Sequence, residues 1–194
     1  MYEDDYEDDE DDYFDMFIYP IDLDNGLVEM LKRSLRSLDY RLFVYNPGAQ
    51  RSRAVLENAM EVLSDCEFMI LILTPRSVDS ALLNQFAGYA GSMEQRMGVF
   101  CMHGVRGKGI LSLANRVEVG GDHEEIVSSV LRWMIKEEEI EVFSFKCQVC
   151  KDDDDYELPT AKDFANWERN RQAFEVLACC EHINRFNPKT LLHM

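Results

Sequence analysis

Positive charge and long apolar runs are both scarce in this sequence. Its 20 lysines and arginines are outnumbered by 37 aspartates and glutamates, leaving a formal net charge of −17. Binding through phosphates needs basic patches, so nucleic acid is not an expected partner. No apolar segment approaches the ~20 residues of a membrane helix, and no membrane association is expected. The opening residues are acidic, where a secretory leader is basic and then apolar, so the expected location is cytoplasmic. The glycine signatures of a Walker loop or a first-strand G-x-G-x-x-G turn are missing. So are an internal repeat and a convincing Ser-His-Asp or Cys-His constellation. A cytoplasmic setting also argues against disulfides, so the six cysteines are read as metal ligands or buried thiols.

What is present is enough for one medium domain and a small appendage: 194 residues, 46% of them hydrophobic. Residues 1–12 include nine carboxylates and no cation. Such a run repels itself and buries nothing, so it is expected to be a disordered tail; the sharper alternative is a docking arm or a cover over a basic groove. From Asp15 the pattern alternates strand and helix. Asp15 to Tyr19 reads as a strand stopped by Pro20. Asp24 or Asn25 caps a helix over Gly26 to Ser37, with Leu27, Met30, Leu31, Leu35 and Leu38 at helical spacing. Strands follow at Arg41–Tyr45, Phe68–Leu73, Val99–Met102 and Arg116–Val119. Helices are expected over Ser52–Leu63, from Ser80 to about Arg96, and over His123–Lys136. Unbroken apolarity in Phe68–Leu73 means burial on both faces.

This alternation predicts an α/β fold over residues 13–138, with a doubly wound, mainly parallel five-stranded sheet. Ligands of such sheets sit beyond the carboxyl ends of the strands. Here that edge comprises Pro20–Asn25, Asn46–Arg53, Thr74–Ser80 and His103–Gly109, and it collects Arg51, Arg53, Arg76, His103, Arg106 and Lys108. In an acidic chain this local excess of cations points to an anionic ligand, with the glycine-rich, basic loop His103–Gly109 able to approach phosphates closely.

A boundary near Lys136–Ile140 opens a second module over 139–194. Cys147-Gln148-Val149-Cys150 and Cys179-Cys180-Glu181-His182 form a C-x2-C … C-x2-H pattern. Two short knuckles separated by a loop are a standard way to surround Zn²⁺, whose softness and tetrahedral preference suit thiolate and imidazole. The expected ligands are Cys147, Cys150, Cys179 and His182, with Cys180 as an alternative. Four protein ligands make a closed, structural site. The module is expected to be zinc-ribbon-like, with a helical insertion from about Ala161 to Glu168.

Several segments of residues 13–134 resemble the Toll/interleukin-receptor (TIR) family. Tyr13–Tyr19 is similar to its opening strand, and Asn46-Pro47-Gly48 with Gln50–Arg53 to its second loop. Met69–Thr74 is similar to the strand entering its third loop, and Leu83–Ala90, with Gly88 and Ala90 in register, to its active helix. The resemblance implies a flavodoxin-like sheet, a prokaryotic signalling or antiviral-defence role, NAD or a related nucleotide as ligand, and self-association or assembly with other TIR-like domains. Asp22, Arg51, Arg53, Arg76, Ser80, Phe86, Arg106 and Lys108 are then the nucleotide-contacting candidates. Active members place a glutamate in the third helix, where a carboxylate stabilises the cationic sugar left by departing nicotinamide. Phe86 stands at that position here. Glu94 lies eight residues on, ~12 Å along a helix axis, too far to substitute. Asp22 and Asp24 are the remaining acidic candidates, with helix capping as their alternative. Phe86 itself reads either as core or as an aromatic wall that stacks on a base. Two functions follow: a binding and assembly module without glutamate-dependent hydrolysis, or an NAD-consuming glycohydrolase or cyclase with an unorthodox catalytic residue.

Overall fold

The computed structural model describes residues 13–20, 23–46, 52–112, 114–158 and 173–194. The acidic segment 1–12, the candidates Asp22 and Arg51, and the expected insertion helix 161–168 lie outside the described residues.

Five short strands form one sheet: β1 (Met16–Ile18), β2 (Leu42–Val44), β3 (Phe68–Leu73), β4 (Arg96–Met102) and β5 (Arg116–Val119). All neighbours are parallel, in the order β2-β1-β3-β4-β5. The crossovers are α1 (Asn25–Arg36), α2 (Arg53–Asp65) and α3 (Ala81–Ser92), and a single 3-10 turn, Gly109–Ser112, joins β4 to β5; α4 (His123–Glu137) closes the domain. This is the doubly wound α/β fold expected from the strand–helix alternation.

Local chemistry sets the helix starts. Asp24 Oδ1 accepts from the Leu27 N–H at 2.9 Å, Ser52 Oγ from Val55 N–H at 3.3 Å, and Ser80 Oγ from Leu83 N–H at 3.2 Å. Helix α3 ends earlier than expected. Glu94 adopts a left-handed conformation at φ 58°, which no helix interior tolerates. The Gln95 side-chain amide then donates to the carbonyls of Leu63 and Cys66, locking the turn. Strand β4 therefore begins at Arg96, paired with Phe68, three residues before the expected Val99.

The pleat sorts the strands' side chains between two cores. Met16, Ile18, Phe68, Ile70 and Ile72 face α1 and α4; Phe17, Met69, Leu71 and Leu73 face α2 and α3. The residues after α4 form two antiparallel hairpins, β6 (Val142–Lys146) with β7 (Asp153–Glu157) and β8 (Phe174–Leu177) with β9 (Ile183–Phe186). Phe143, Phe145, Phe174 and Phe186 pack edge-on, tilted and stacked, with contacting ring centroids 5.0 to 5.8 Å apart. This aromatic knot belongs to the same core as the α1/α4 face. Ser144 N–H donates to the Ser37 carbonyl at 2.8 Å, at the end of α1, and Asn187 Nδ2 donates to Glu124 Oε1 at 3.1 Å, at the start of α4. The C-terminal hairpins are therefore fastened along the helical layer.

Candidate metal centre and the carboxyl edge of the sheet

Two turns at neighbouring hairpin ends build a sulfur cluster. The first follows β6. The chain turns at Cys147–Cys150, Lys151 N–H donates to the Cys147 carbonyl at 3.2 Å, and Lys151 adopts φ 67°. The N–H of Val149 points at Cys147 Sγ, 3.5 Å away. The second is the tip of the β8–β9 hairpin. Ala178 N–H donates to the His182 carbonyl at 2.9 Å, and Glu181 adopts φ 62°. Each turn thus reverses through a left-handed residue directly after a cysteine.

These turns bring Cys147, Cys150, Cys179 and Cys180 together. Cys147 Sγ lies 3.5 Å from Cys180 Sγ, and Cys150 Sγ lies 3.8 Å from Cys179 Sγ. Four thiolates ~2.3 Å from a tetrahedral ion stand ~3.8 Å apart, so the spacing suits a metal ion. The cluster can hold one. Asp152 is also within ligand range of Cys150 and Cys179. Among the described residues the groups that converge are Cys147, Cys150 and Cys180, and Cys150, Asp152 and Cys179, without His182, the expected fourth ligand. The reason is the tight turn: with Glu181 left-handed, adjacent cysteines at the tip both reach the first knuckle.

Two supporting residues escaped the sequence reading. Asn184, buried in β9, donates through Nδ2 toward Cys147 Sγ at 3.6 Å and accepts from Gln148 N–H at 3.1 Å. Asp154 Oδ2 accepts from Cys179 N–H at 2.7 Å. Such outer partners orient ligands. The available signal was a polar residue at an inward position of the alternating strand Ile183–Phe186.

The thiols are unequal. Burial pushes Cys147 up, but the N–H groups of Val149 and Cys150, with the Asn184 amide and Cys180, outweigh it and hold the thiol down to about 6. The Asp152 N–H draws Cys150 down, yet burial and the sulfurs of Cys180, Cys147 and Cys179 push it up to about 12. The cluster's first negative charge therefore resides on Cys147. A metal competes with the protons on the remaining thiols, so affinity rises with pH above neutrality. It falls more steeply below about pH 6, where Cys147 also takes up a proton. Chelator competition across pH 5.5 to 8.5, about three units spanning the Cys147 transition, reads this slope; a flat profile would contradict it.

Elsewhere, the carboxyl edge is arranged as follows. Thr74 and Ser77 exchange hydrogen bonds after β3, with Thr74 N–H to Ser77 Oγ at 2.7 Å and Ser77 N–H to Thr74 Oγ1 at 3.0 Å. This pins the turn that exposes Arg76. Ser80 caps α3. Lys108 forms an ion pair with Asp79, joining the loop after β4 to the turn after β3. Arg106 is exposed in that loop, which bends through Gly104 at φ 80° and Gly109 at φ 58°. Arg76, Ser80 and Lys108 thus share one end of the sheet, whereas Arg53 sits in the first turn of α2, paired with Glu57 at 2.7 Å.

Phe86 is core. It is 0% exposed, with its ring 5.2 Å from Phe17, 5.6 Å from Tyr19 and 5.2 Å from Tyr45. It belongs to the buried face Leu83, Phe86, Ala87 and Ala90 of α3, so it does not form a wall on which a base could stack. Asp24 caps α1 and pairs with His123 Nε2 at 2.6 Å; the Leu27 N–H, chiefly, and His123 hold its carboxyl below the usual range. Cys66 and Cys101 are small core residues, and burial pushes the Cys66 thiol up to about 12.

The class these observations define is an α/β protein with a five-stranded parallel sheet and a C-terminal four-cysteine cluster able to hold a metal ion. Among the described residues no helix is long and apolar enough to cross a membrane. No protein-family model matches the chain, and no curated protein matches it. The TIR resemblance accordingly rests on the sequence segments quoted above.

Proposed function

We propose that the protein is a binding and assembly module of TIR-like signalling or defence type. Its α/β domain takes NAD or a related nucleotide at the carboxyl edge without hydrolysing it, and its C-terminal hairpins are braced by a structural Zn²⁺. The observation that carries this reading is the burial of Phe86 among Phe17, Tyr19 and Tyr45. In this register α3 offers the edge no carboxylate at the position where the resemblance implies one. Asp24, one of the two acidic candidates, is engaged as a helix cap and by His123 Nε2 at 2.6 Å. Support for an anionic ligand comes from Arg76, Arg106 and Lys108 beside the glycine-hinged loop. Zinc is favoured over other ions by the thiol-rich ligand set and by sulfur–sulfur distances of 3.5 Å for Cys147–Cys180 and 3.8 Å for Cys150–Cys179, close to those of a tetrahedral thiolate site. Holding the two knuckles and their aromatic core together would be the ion's work, since a closed four-thiolate site leaves no open position for chemistry.

The test is incubation of the purified protein with NAD, following nicotinamide release, alongside calorimetry with NAD, ADP-ribose and cyclic nucleotides. Heat from at least one nucleotide with no nicotinamide release is expected, and light scattering then reports assembly. No heat at millimolar ligand would overturn nucleotide binding. Turnover would instead establish the NAD-consuming enzyme, and Asp22→Ala and Asp24→Ala would then locate its carboxylate.

A further inference from the structure

At the opposite, amino-terminal edge of the sheet lies a cleft of about 750 Å³ between α1 and the segments that lead into β1 and β2. Small-molecule sites are of this size. Four cations line it: Lys32, Arg33 and Arg36 from the last half of α1, and Arg41 from the approach to β2. Two carboxylates, Glu29 and Asp39, line it as well. Lys32 is paired with Glu29 at 3.2 Å, but among the described residues Arg33, Arg36 and Arg41 form no ion pair. All three are exposed. Arg33 and Arg36 complement the carboxyl end of the α1 dipole, which accounts for their place on the helix. It does not account for Arg41, which reaches the same cleft from another segment.

The fold holds these three arginines at one cleft against their mutual repulsion. Arg33 and Arg36 stand three apart on α1, so their side chains are neighbours. After α1 the chain reverses through Asp39 at φ 63°, a conformation that Asp adopts more readily than most residues. Tyr40 N–H donates to the Leu35 carbonyl at 3.1 Å and closes the reversal. Arg41 is then pinned to the entry of β1. Its N–H donates to Asp15 Oδ2 at 2.7 Å, and its carbonyl accepts from the Asp15 and Met16 N–H groups at 3.0 and 3.2 Å. Like charges gathered without counter-ions repel, and a bound anion relieves that repulsion. Guanidinium groups match phosphate oxygens in a bidentate fork. Tyr13 and Tyr40 line the same cleft and set aromatic surface beside the cations.

The geometry points to a second anion site in this cleft, separate from the carboxyl edge, which takes a small ligand bearing a diphosphate group on Arg33, Arg36 and Arg41. The charge balance selects the class. A single phosphoryl group carries at most about two negative charges at neutral pH, fewer than the three unpaired cations. Two linked phosphoryl groups match them, and can span guanidinium groups that arrive from two segments.

The test is calorimetry of the full chain with inorganic pyrophosphate, inorganic phosphate and ADP at about 0.1 M salt. Pyrophosphate is expected to bind at least about tenfold more tightly than inorganic phosphate. Arg41→Gln alone, and Arg33→Gln combined with Arg36→Gln, each weaken pyrophosphate at least about tenfold, with folding checked by circular dichroism. Arg76→Gln combined with Lys108→Gln alters the carboxyl edge and leaves pyrophosphate binding intact. ADP is compared in that carboxyl-edge variant, so that only the cleft is read. Tighter binding of ADP than of pyrophosphate assigns its organic part to the Tyr13 and Tyr40 side; equal binding means that the phosphates alone are held, and both agree with the proposal. Absence of heat from pyrophosphate at about millimolar concentration would overturn it. So would inorganic phosphate binding as tightly as pyrophosphate, an Arg41→Gln protein that binds unchanged, or a loss confined to the carboxyl-edge variant.

Discussion

Cys180→Ser and Cys147→Ser are expected to strip the protein of the proposed metal, whereas His182→Ala is expected to leave it in place. If the proposed zinc is bound, elemental analysis of the purified wild-type chain is expected to give one zinc per chain, and each serine variant to fall well below that. The reasoning is geometric: Cys180 Sγ sits 3.5 Å from Cys147 Sγ, and among the described residues the converging ligand groups do not include His182. The energy at stake is large, because the binding free energy of a structural zinc, ~10 to 16 kcal/mol in small zinc modules, is largely folding free energy. Without the ion the two knuckles carry a shared thiolate charge and lose their cross-link, and the hairpins open. Phe143, Phe145, Phe174 and Phe186 would then be exposed, and with them the outer side of the α1/α4 layer. Limited proteolysis should accordingly cut first within residues 139–194, and the core of Phe17, Met69, Leu71 and Leu83 on the far face of the sheet should persist longest. Full zinc content in Cys180→Ser with loss in His182→Ala would reverse the ligand assignment.

Phe86→Ala lowers the unfolding free energy by about 3 to 5 kcal/mol, the cost of emptying a fully packed aromatic site. Phe86→Glu costs more, because its carboxylate would be buried against the rings of Phe17, Tyr19 and Tyr45. Against a total stability of ~5 to 15 kcal/mol, the glutamate variant is expected to be largely unfolded or to shift its own titration strongly upward. Urea denaturation followed by circular dichroism measures both. Restoring a family-like glutamate at this position therefore does not create a hydrolase; a stable Phe86→Glu protein that released nicotinamide would refute the core placement.

Much of the fold could be read from local pattern. The period of Leu27, Leu31 and Leu35 marks α1, and the cap residues Asp24, Ser52 and Ser80 mark three helix starts because each side chain satisfies an N–H only a few residues away. Phe86 could be read either as core or as a cleft wall, and the structure favours the core reading, burying it on one face of α3 with Leu83, Ala87 and Ala90. The end of α3 was less legible. Nothing in the composition of Ser92–Arg96 announces that Glu94 turns left-handed; the turn is held by Gln95 reaching the Leu63 and Cys66 carbonyls, some thirty residues distant. In the cysteine module the number and spacing of thiols pointed to a metal, but spacing does not say which neighbours converge.

The amino-acid sequence by itself determined the alternation of strands and helices, the two-faced burial of Phe68–Leu73 and the presence of a C-terminal cysteine cluster. Each depends on residues close enough along the chain to share one face, one cap or one turn. Only the tertiary structure decided that Cys180 lies beside Cys147, that Asn184 and Asp154 support the sulfurs, and that Arg41 joins Arg33 and Arg36 at one cleft. These are meetings between separate segments, and their outcome depends on hairpin register and on the packing of the ribbon and helices against the sheet.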